Sequence, residues 1–365
     1  MRTFWQGLFL GCFVVIKSSL VALSDVDIKN AVEVRAKAYI KKYNIAGLAI
    51  AVVKQSFDME KPCEKTFCFG HAQRNLQISI KESTGFRLGE LSSSFIALLF
   101  AKALHEGTIP EEALLSDFFP KTFVIPRYHD IPIKVMEVAL QTSGLPDYPT
   151  LPMRYYQVGA KDIENYFRSY KLPRKPGAKE QFSHLGYACL AYLLARSGKT
   201  TYAKLLSDKI LKPLAMEDTY YSLSLNKRHL LATGYRGIGP VSENFVDKDT
   251  SFFKPVVGLI ATIADLRKWL SFFLRIHATA LDPYLKQVFR FQKNAEDEGV
   301  KKLGLGWKIE PLSASLVTYK GGGIYCGFSS CMLFTPDTKT GVVVLSNTEY
   351  DVEPLARELL QFLNS

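Results

Sequence analysis

Three separate segments carry side chains that could perform acid–base or binding chemistry. Glu90 precedes a run of serines and a strongly apolar stretch, His184 lies in the segment QFSHLGY, and Lys320 begins the run KGGG. A carboxylate and an imidazole held together can activate water for hydrolysis, and a carboxylate can itself be a nucleophile. A lysine ammonium can bind an anionic group of a ligand. For a lone histidine, a purely structural role is the commoner outcome.

The spacing of serines and lysines gives little support for serine chemistry. Residues three apart on a helix lie side by side, so a lysine one turn after a serine is one arrangement that could remove the serine proton. Ser93 has Ile96 at that position. Ser224 and Lys227 have the required spacing, but no long apolar helix follows them. We interpret that match as chance.

Strand patterns cluster at the two ends of the chain, and helical patterns fill the middle. Buried or paired strands are predicted for GLAIAVVK (47–54), KTFCFGHA, LVTYKGGG and GVVVLSN. Helices are predicted for 28–43, for 93–107, where a glycine marks the end, and for EPLARELLQFL near the end of the chain. This order predicts an α/β (α+β) fold, with one α/β domain built from 25–80 and 250–365 and a mainly helical domain, 81–249, inserted into it. A cleft between two such domains is a usual place for a ligand.

Several segments resemble the family of class C serine β-lactamases and penicillin-binding DD-peptidases, which also contains esterases and pseudoenzymes. Their order and spacing match from about residue 30 onward; the segments are FRLGELSSSFIALLFAKALHEGTI (86–109), IPIKVMEVALQTSGLPDYP (131–149), QFSHLGYACLAYLL (from 181), KPLAMEDTYYS, VVGLIATIADLRKWL (from 256) and YKGGGIYCGFSSCMLFTPDTKTGVVVLSN (319–347). The resemblance implies a β-lactamase/transpeptidase-like fold, in which helices flank an antiparallel sheet and a helical domain is inserted.

The resemblance also identifies the positions of the family's reactive groups, and most are substituted. The family's Ser-x-x-Lys motif supplies a nucleophile and a lysine that helps to deprotonate it; these positions are Glu90 and Ser93. Its Tyr-x-Asn motif supplies a proton-transferring hydroxyl and a substrate-holding amide; these positions are Phe182 and His184. Asp147, in TSGLPDY, is expected to be a turn or cap residue rather than a catalyst.

The third motif of the family, Lys-x-Gly on an inward strand, is kept as Lys320 and Gly322. It implies a cation for a substrate carboxylate and a glycine that lets the ligand lie close, although an edge-strand lysine could instead face solvent. We expect Glu90, His184 and Lys320 to converge on one cleft. There Glu90 could pair with Lys320 in a repurposed binding site, or Glu90 and His184 could form a new acid–base pair. Two ligands are too few for a metal ion, and no cofactor is expected.

These substitutions favour a β-lactamase-related protein that lacks serine acyl-enzyme activity and acts by binding. Reactive groups of this kind act as a unit, and in a serine protease loss of the nucleophile alone costs on the order of a millionfold in rate. The expected partner is a small acyl or peptide ligand, or a cell-wall component. The alternative is a hydrolase (a D-Ala carboxypeptidase, β-lactamase or esterase) with rewired active-site residues.

The charge of the protein does not indicate nucleic-acid binding. The formal net charge is +11, which would favour association with anionic polymers or membrane surfaces. The lysines and arginines are dispersed, however, and form neither a dense block nor a nucleic-acid motif. We therefore expect a solvated basic surface.

The first residues predict a signal peptide over 1–24 and hence export to the periplasm or the cell exterior. Arg2 supplies a positive charge, 8–16 is an apolar run too short to span a bilayer, and Ala22-Leu23-Ser24 fits a cleavage site. The alternative is an uncleaved leader, which would be the protein's only contact with a membrane. No later segment has the pattern of a transmembrane helix.

Export would permit disulfides, and the cysteines leave one pairing open. Removal of Cys12 with the leader leaves five cysteines, so at least one thiol stays free. Cys63 and Cys68 flank a predicted hairpin turn and could pair. Cys189 is expected to be buried and inert.

Overall fold

The computed structural model describes residues 23–55, 61–241, 251–294, 302–314 and 316–365. Within them the strands are β1 (Gly47–Lys54), β2 (Cys63–Gln73), β3 (Ile78–Ser79), β4 (Gly85–Arg87), β5 (Tyr235–Arg236), β6 (Gly239–Pro240), β7 (Ile260–Thr262), β8 (Gln292–Asn294), β9 (Lys302–Gly304), β10 (Trp307–Pro311), β11 (Val317–Tyr325), β12 (Phe328–Thr335) and β13 (Thr340–Ser346). The α-helices are α1 (Asp25–Tyr43), α2 (Ser93–His105), α3 (Val135–Ala139), α4 (Ala160–Ser169), α5 (His184–Ser197), α6 (Tyr202–Leu206), α7 (Lys254–Val257), α8 (Ile263–Phe273), α9 (Asp282–Arg290) and α10 (Glu353–Leu363).

A nine-stranded antiparallel sheet joins the two ends of the chain. Its strand order is β3-β2-β1-β13-β12-β11-β10-β9-β8. The first long strand, β1, lies between its hairpin partner β2 and the late strand β13, with Ile50 opposite Val344. The predicted antiparallel sheet with flanking helices is therefore confirmed.

The two faces of the sheet are covered by different sets of helices. On the outer face, α1 and α10 pack on alternate β1 residues, among them Leu48 and Ile50. On the other face, α8 packs against β1 and β13, and the remaining helices build the larger core behind it. Trp269 of α8 stacks on Phe95 of α2 with ring centroids 4.1 Å apart. Because side chains alternate along a strand, each face needs its own apolar cover, and β1 is buried along nearly its whole length.

Most element predictions at the chain ends are confirmed. The 47–54 strand is β1, and EPLARELLQFL is α10. The 93–107 helix is α2, which ends at His105 and is buried on nearly all sides, as its apolar sequence requires. The structure begins α1 at Asp25, where Ser24 caps it by accepting a hydrogen bond from the Asp27 N–H.

Residues 81–249 contain α2 to α6, but they also contain short strands. Among these, β4 pairs with β7, which lies outside that range. The division of the chain into an α/β and a helical domain stays a prediction. The predicted leader, 1–24, falls almost wholly outside the described residues. Within the described ranges, no helix is both long and apolar enough to cross a membrane.

The predicted pairing of Cys63 with Cys68 is wrong. Both residues lie in β2, five positions apart, and no turn separates them. A strand rises about 3.3 Å per residue, so their Cα atoms are about 16 Å apart, whereas a disulfide spans less than about 7 Å. Both thiols are free, and burial raises the pKa of each to about 11.

Candidate active site

Glu90 lies in a short 3₁₀ turn, Gly89–Ser92, that leads directly into α2. The turn is fixed from both sides, because the Leu88 N–H donates to the Leu259 carbonyl at 2.9 Å and the Ser330 hydroxyl donates to the Leu88 carbonyl at 2.7 Å. The Glu90 carboxylate lies against Gly323 of β11. A Cβ at position 323 would be 2.9 Å from Glu90 Cδ, so a side chain there would displace the carboxylate from this position.

Asp147, His184 and Glu90 form a chain of ionisable groups beside this turn. His184 Nδ1 is 2.5 Å from Asp147 Oδ1, and its Nε2 is 3.7 Å from Glu90 Oε1. The imidazole is buried and lies between Tyr148, stacked at 4.4 Å, and Phe182, edge-on at 4.7 Å. The arrangement has the form of a base whose far nitrogen is oriented by a carboxylate.

The start of α5 positions His184. Ser183 caps the helix: its hydroxyl accepts the Gly186 N–H at 2.8 Å and donates to the Pro146 carbonyl at 2.7 Å. The His184 N–H donates to Asp147 Oδ1 at 3.1 Å. Asp147 therefore caps the helix and also holds the imidazole. The sequence analysis missed this second contact, because a turn or cap role accounts for an aspartate in TSGLPDY without it.

The two carboxylates of this chain differ in proton affinity. Burial raises the pKa of Glu90; His184 opposes the rise and Asp147 adds to it. Burial would also raise the pKa of Asp147, but the hydrogen bonds and charge of His184 outweigh it and hold that pKa below its ordinary value. Asp147 thus favours the ionised form, whereas Glu90 holds a proton more readily. Two neighbouring groups whose pKa values are shifted in opposite directions are typical of acid–base sites.

Phe182 and Ser93 lie beside the same cavity, which has a volume of about 330 Å³. Phe182 packs its ring on His184 but has no hydroxyl through which to transfer a proton. Ser93 is 6% exposed, and its hydroxyl has no hydrogen-bond partner among the described residues. Trp307, 3% exposed, borders the cavity too, and its Nε1 is similarly unpartnered. Both atoms are covered by protein, so they lie behind the cavity wall and are not open to a ligand in the cavity.

Glu90 and Lys320 border the same cavity, but the pairing of Glu90 with Lys320 that one of our two alternatives required is absent. Gly321 and Gly323 present their Cβ directions to Leu91 and Glu90 on the helix side of the sheet. Lys320 immediately precedes Gly321 in β11 and therefore faces the opposite side of the sheet, since strand side chains alternate. There its Nζ is 2.6 Å from Glu353 Oε2 of α10. The inward position that we assigned to lysine is occupied by Gly321.

Lys320 instead belongs to a group of four paired charges under α10. Its Nζ is also 3.3 Å from Glu310 Oε1, and Arg357 contacts Glu310 at 2.5 Å and Glu353 at 2.9 Å. Burial would lower the pKa of Lys320, but Glu353 and Glu310 outweigh it and raise that pKa. Lys320 still borders the cavity. The pairing of β10 with β11 ends at Lys320, and the cavity reaches the edge of β11 that is unpaired beyond this residue.

Gly322 borders the cavity, and its backbone conformation by itself requires glycine. Its φ is +139°, and a Cβ there would be 2.2 Å from the Ser330 carbonyl oxygen. Only glycine fits this conformation without displacing β12. The prediction that Gly322 lets a ligand approach is therefore not needed to explain the residue.

Within the described part of the chain, no three His, Cys, Asp or Glu side chains form a group that could hold a metal ion. The site consists of an acid–base chain beside a cavity that residues of β11 line.

Comparisons with known proteins agree on one family. The model of the Beta-lactamase family matches residues 32–363. The D-alanyl-D-alanine-carboxypeptidase/endopeptidase AmpH of Escherichia coli K12 is 25% identical over 285 residues, which cover 71% of this chain and 70% of AmpH. Protein flp of Staphylococcus aureus N315 is 23% identical over 335 residues, which cover 89% of this chain and 64% of flp.

Solved structures share the fold. A class C β-lactamase superposes with a TM-score of 0.80 at 21% identity, covering 93% of this chain and 97% of that one. A class C β-lactamase in complex with cefoxitin superposes with a TM-score of 0.81 at 20% identity, covering 93% of this chain and 99% of that one.

Proposed function

The chain belongs to the β-lactamase family, and we propose that it is a member that forms no acyl-serine and instead binds a small acyl or peptide ligand beside β11. The observation that carries this proposal is the Glu90 carboxylate, which lies against Gly323 at the start of α2, the position expected for the family's serine. A side chain there excludes an attacking serine hydroxyl from the same space.

The neighbouring substitutions support the proposal. Ser93 provides no amine and Phe182 no hydroxyl, so neither can remove or return a proton as the family's lysine and tyrosine do. Groups that act as a unit lose nearly all of their effect once one of them is absent. The cavity, at about 330 Å³, lies at the lower end of the size range of ligand pockets, about 300–1,000 Å³.

Intact-mass measurement tests this proposal directly. Protein comprising residues 25–365 is incubated with a penicillin and, separately, with a fluorophosphonate, and an active class C β-lactamase serves as the positive control. We expect no mass increase in the folded protein with either probe. An adduct that peptide mapping assigns to a serine would overturn the proposal.

A second candidate function is hydrolysis without a covalent intermediate. The 2.5 Å contact of His184 with Asp147 and the 3.7 Å approach of His184 to Glu90 favour it. In that reaction Glu90 or His184 takes a proton from water, the resulting hydroxide adds to an ester carbonyl, and the alcohol leaves with the returned proton. General base catalysis of this kind contributes about 10²–10⁴-fold in rate.

Turnover of p-nitrophenyl acetate distinguishes this candidate from binding alone. If it is correct, the protein exceeds the rate of buffer, and His184→Asn lowers that excess about 100-fold or more. A wild-type rate equal to buffer, or an excess rate unchanged in both His184→Asn and Glu90→Gln, rejects the hydrolase and leaves the binding proposal standing.

A further inference from the structure

Two hairpin turns present large apolar side chains to solvent. Leu76 lies in the turn between β2 and β3, and Ile238 lies in the turn between β5 and β6. Leu76 is 68% exposed and Ile238 is 80% exposed, the two highest values among the large apolar side chains that the structure describes. Single exposed apolar residues are common on soluble proteins, whereas a group of them marks a surface that contacts a partner or a membrane.

Both hairpins extend from the same end of the large sheet. The Asn347 side-chain amide donates to the carbonyl oxygens of Ala72 at 3.2 Å and of Thr233 at 2.9 Å. Two residues further along each of these segments, the Arg74 N–H donates to the Tyr235 hydroxyl at 2.7 Å. The two segments therefore run away from Asn347 in the same direction, and the turns that follow them lie at the same end of the molecule.

Two tyrosines lie beside these turns. Tyr350 is 38% exposed and stacks on Tyr43, at the end of α1, with ring centroids 4.2 Å apart. The Arg74 guanidinium connects the first hairpin to this end of α1, because it donates to the Asn44 carbonyl. The end of the molecule therefore combines apolar tips with aromatic rings that have a polar hydroxyl.

The same end of the molecule has an excess of positive charge. It is made of the segments 41–44, 74–77, 236–239 and 348–351, whose four cations and two carboxylates give a net charge of +2. Arg236 and Glu349 pair with each other, so the excess comes mainly from Lys41 and Lys42, which are both exposed.

This combination is typical of a surface that lies on a lipid bilayer. Apolar side chains on exposed turns can enter the boundary of the acyl chains, tyrosine rings favour the headgroup region, and cations attract anionic lipids. The net charge of +11 on the whole chain acts in the same direction. A protein interface of ordinary size buries about 800 Å² on each partner around an apolar centre, which two side chains on separate turns do not provide.

We propose that the two hairpin turns, with Leu76 and Ile238 at their tips, dock the protein on an anionic membrane surface. This contact is separate from the predicted leader, so it is available to a chain that begins at Asp25. It is also independent of the proposed function, because Glu90 and the cavity beside β11 take no part in it.

Sedimentation with lipid vesicles tests the proposal. Protein comprising residues 25–365, which contains every described helix and strand, is mixed with vesicles of phosphatidylcholine alone or with about a quarter of phosphatidylglycerol. We expect tighter binding to the anionic vesicles, and weaker binding at about 1 M salt than at about 0.1 M, because salt screens the attraction. The double variant Leu76→Ser/Ile238→Ser should bind about tenfold or more weakly, since both apolar side chains lose their transfer into the bilayer.

A matched control removes apolar side chains of similar exposure elsewhere. Val26 and Val34 of α1 are 64% and 67% exposed, and Val26→Ser/Val34→Ser should bind vesicles as the wild type does. A thermal melt of each variant confirms that it is folded before sedimentation.

Several results would overturn the proposal. These are wild-type protein that does not bind the anionic vesicles, a hairpin variant that binds them as tightly as the wild type, and a control that loses as much binding as the hairpin variant. Analytical ultracentrifugation without lipid adds one more. Self-association that is lost only in the hairpin variant, in a protein that does not bind vesicles, would assign the turns to an interface between two copies of the chain instead.

Discussion

The Glu90 carboxylate packs directly against Gly323 of β11. A Cβ at position 323 would be 2.9 Å from Glu90 Cδ, so the carboxylate keeps this position because residue 323 has no side chain. Burial holds the Glu90 pKa above its ordinary value of 4.5. The position and the pKa of the Glu90 carboxylate therefore depend on residue 323 as well as on Glu90.

The raised pKa of Glu90 predicts a pH-dependent cost to stability. Well below pH 4.5 both folded and unfolded chains hold the proton; as pH rises, the unfolded chain loses it first, so stability falls through the folded pKa. Glu90→Gln removes this loss. We expect the melting temperatures of variant and wild type to converge near pH 4 and the variant to be the more stable above pH 7. A difference that is constant across this range contradicts the prediction.

Gly323→Ala should destabilise the protein by about 1 kcal/mol, the low end of the cost of overpacking, because the new methyl group displaces the flexible end of Glu90. In the double variant with Glu90→Ser the clash disappears, so most of the loss should be recovered. Urea unfolding of the two single variants and the double variant measures this coupling. Gly239→Ala, whose Cβ would meet nothing closer than 3.8 Å, is the control. Purely additive effects would show that the contact is absent.

Sequence reasoning identified Glu90, Ser93, Phe182 and His184, all of which the structure brings to one region, and failed for Lys320. The inward position was assigned one residue too early, to Lys320 in place of Gly321. A shift by one residue moves a strand side chain to the other face of the sheet. Residues 321–323 are all glycine and offer no pattern of polar and apolar side chains from which the inward face could be determined. Asp147 lies 37 residues from His184 in the sequence. The periodicity of apolar residues in a helix or strand predicts contacts only between near neighbours, so it could not predict this one.

At the scale of elements, β11 separates two different charge environments. Its helix side borders the cleft, and its outer side connects through Lys320 to α10. The strand predictions succeeded here because alternating and continuous apolar runs determine burial locally. The contacts of β11 with the 3₁₀ turn and with α10 join chain segments that are far apart in sequence. Local patterns therefore could not predict that Lys320 pairs with Glu353 of α10.

Lys320→Met should cost about 2 kcal/mol in the free energy of unfolding, since it leaves Glu310 and Glu353 with one cation instead of two in a mostly buried group. Because Lys320 faces away from Glu90, ligand affinity in the cleft should stay within about twofold. Urea unfolding and titration measure the two effects. Lys204→Met, which breaks an exposed helix pair with Asp208, should cost no more than about 0.5 kcal/mol. A selective loss of ligand binding in Lys320→Met would restore the inward assignment.

The N-cap of α1 predicts that the stability of the protein depends on which residue comes first. Ser24 accepts the Asp27 N–H, and the Asp27 carboxylate accepts the Ser24 N–H at 3.0 Å. Protein beginning at Ser24 should therefore be more stable than protein beginning at Asp25 by about 1 kcal/mol, the usual worth of an N-cap. Chemical unfolding of the two forms measures the difference. Equal stability would mean that the cap contributes nothing.

At the scale of the whole molecule, export remains a proposal based on the sequence of 1–24. It predicts that protein recovered outside the cytoplasm begins at Asp25 and has lost the mass of the leader. Intact mass and N-terminal sequencing measure this directly. Recovery of full-length protein from the membrane fraction would favour the uncleaved leader instead.

The strands β1 and β13 are adjacent in the sheet but are made at different times during synthesis. Leu48 can pair with Ser346 only after Ser346 has been made. At about 5–20 residues per second the ribosome needs roughly 15–60 s to produce the residues between them. Throughout that interval the apolar strand β1 has one edge without its partner. A messenger truncated before β13 would therefore yield a chain in which β1 has no partner on that edge and the central sheet cannot close.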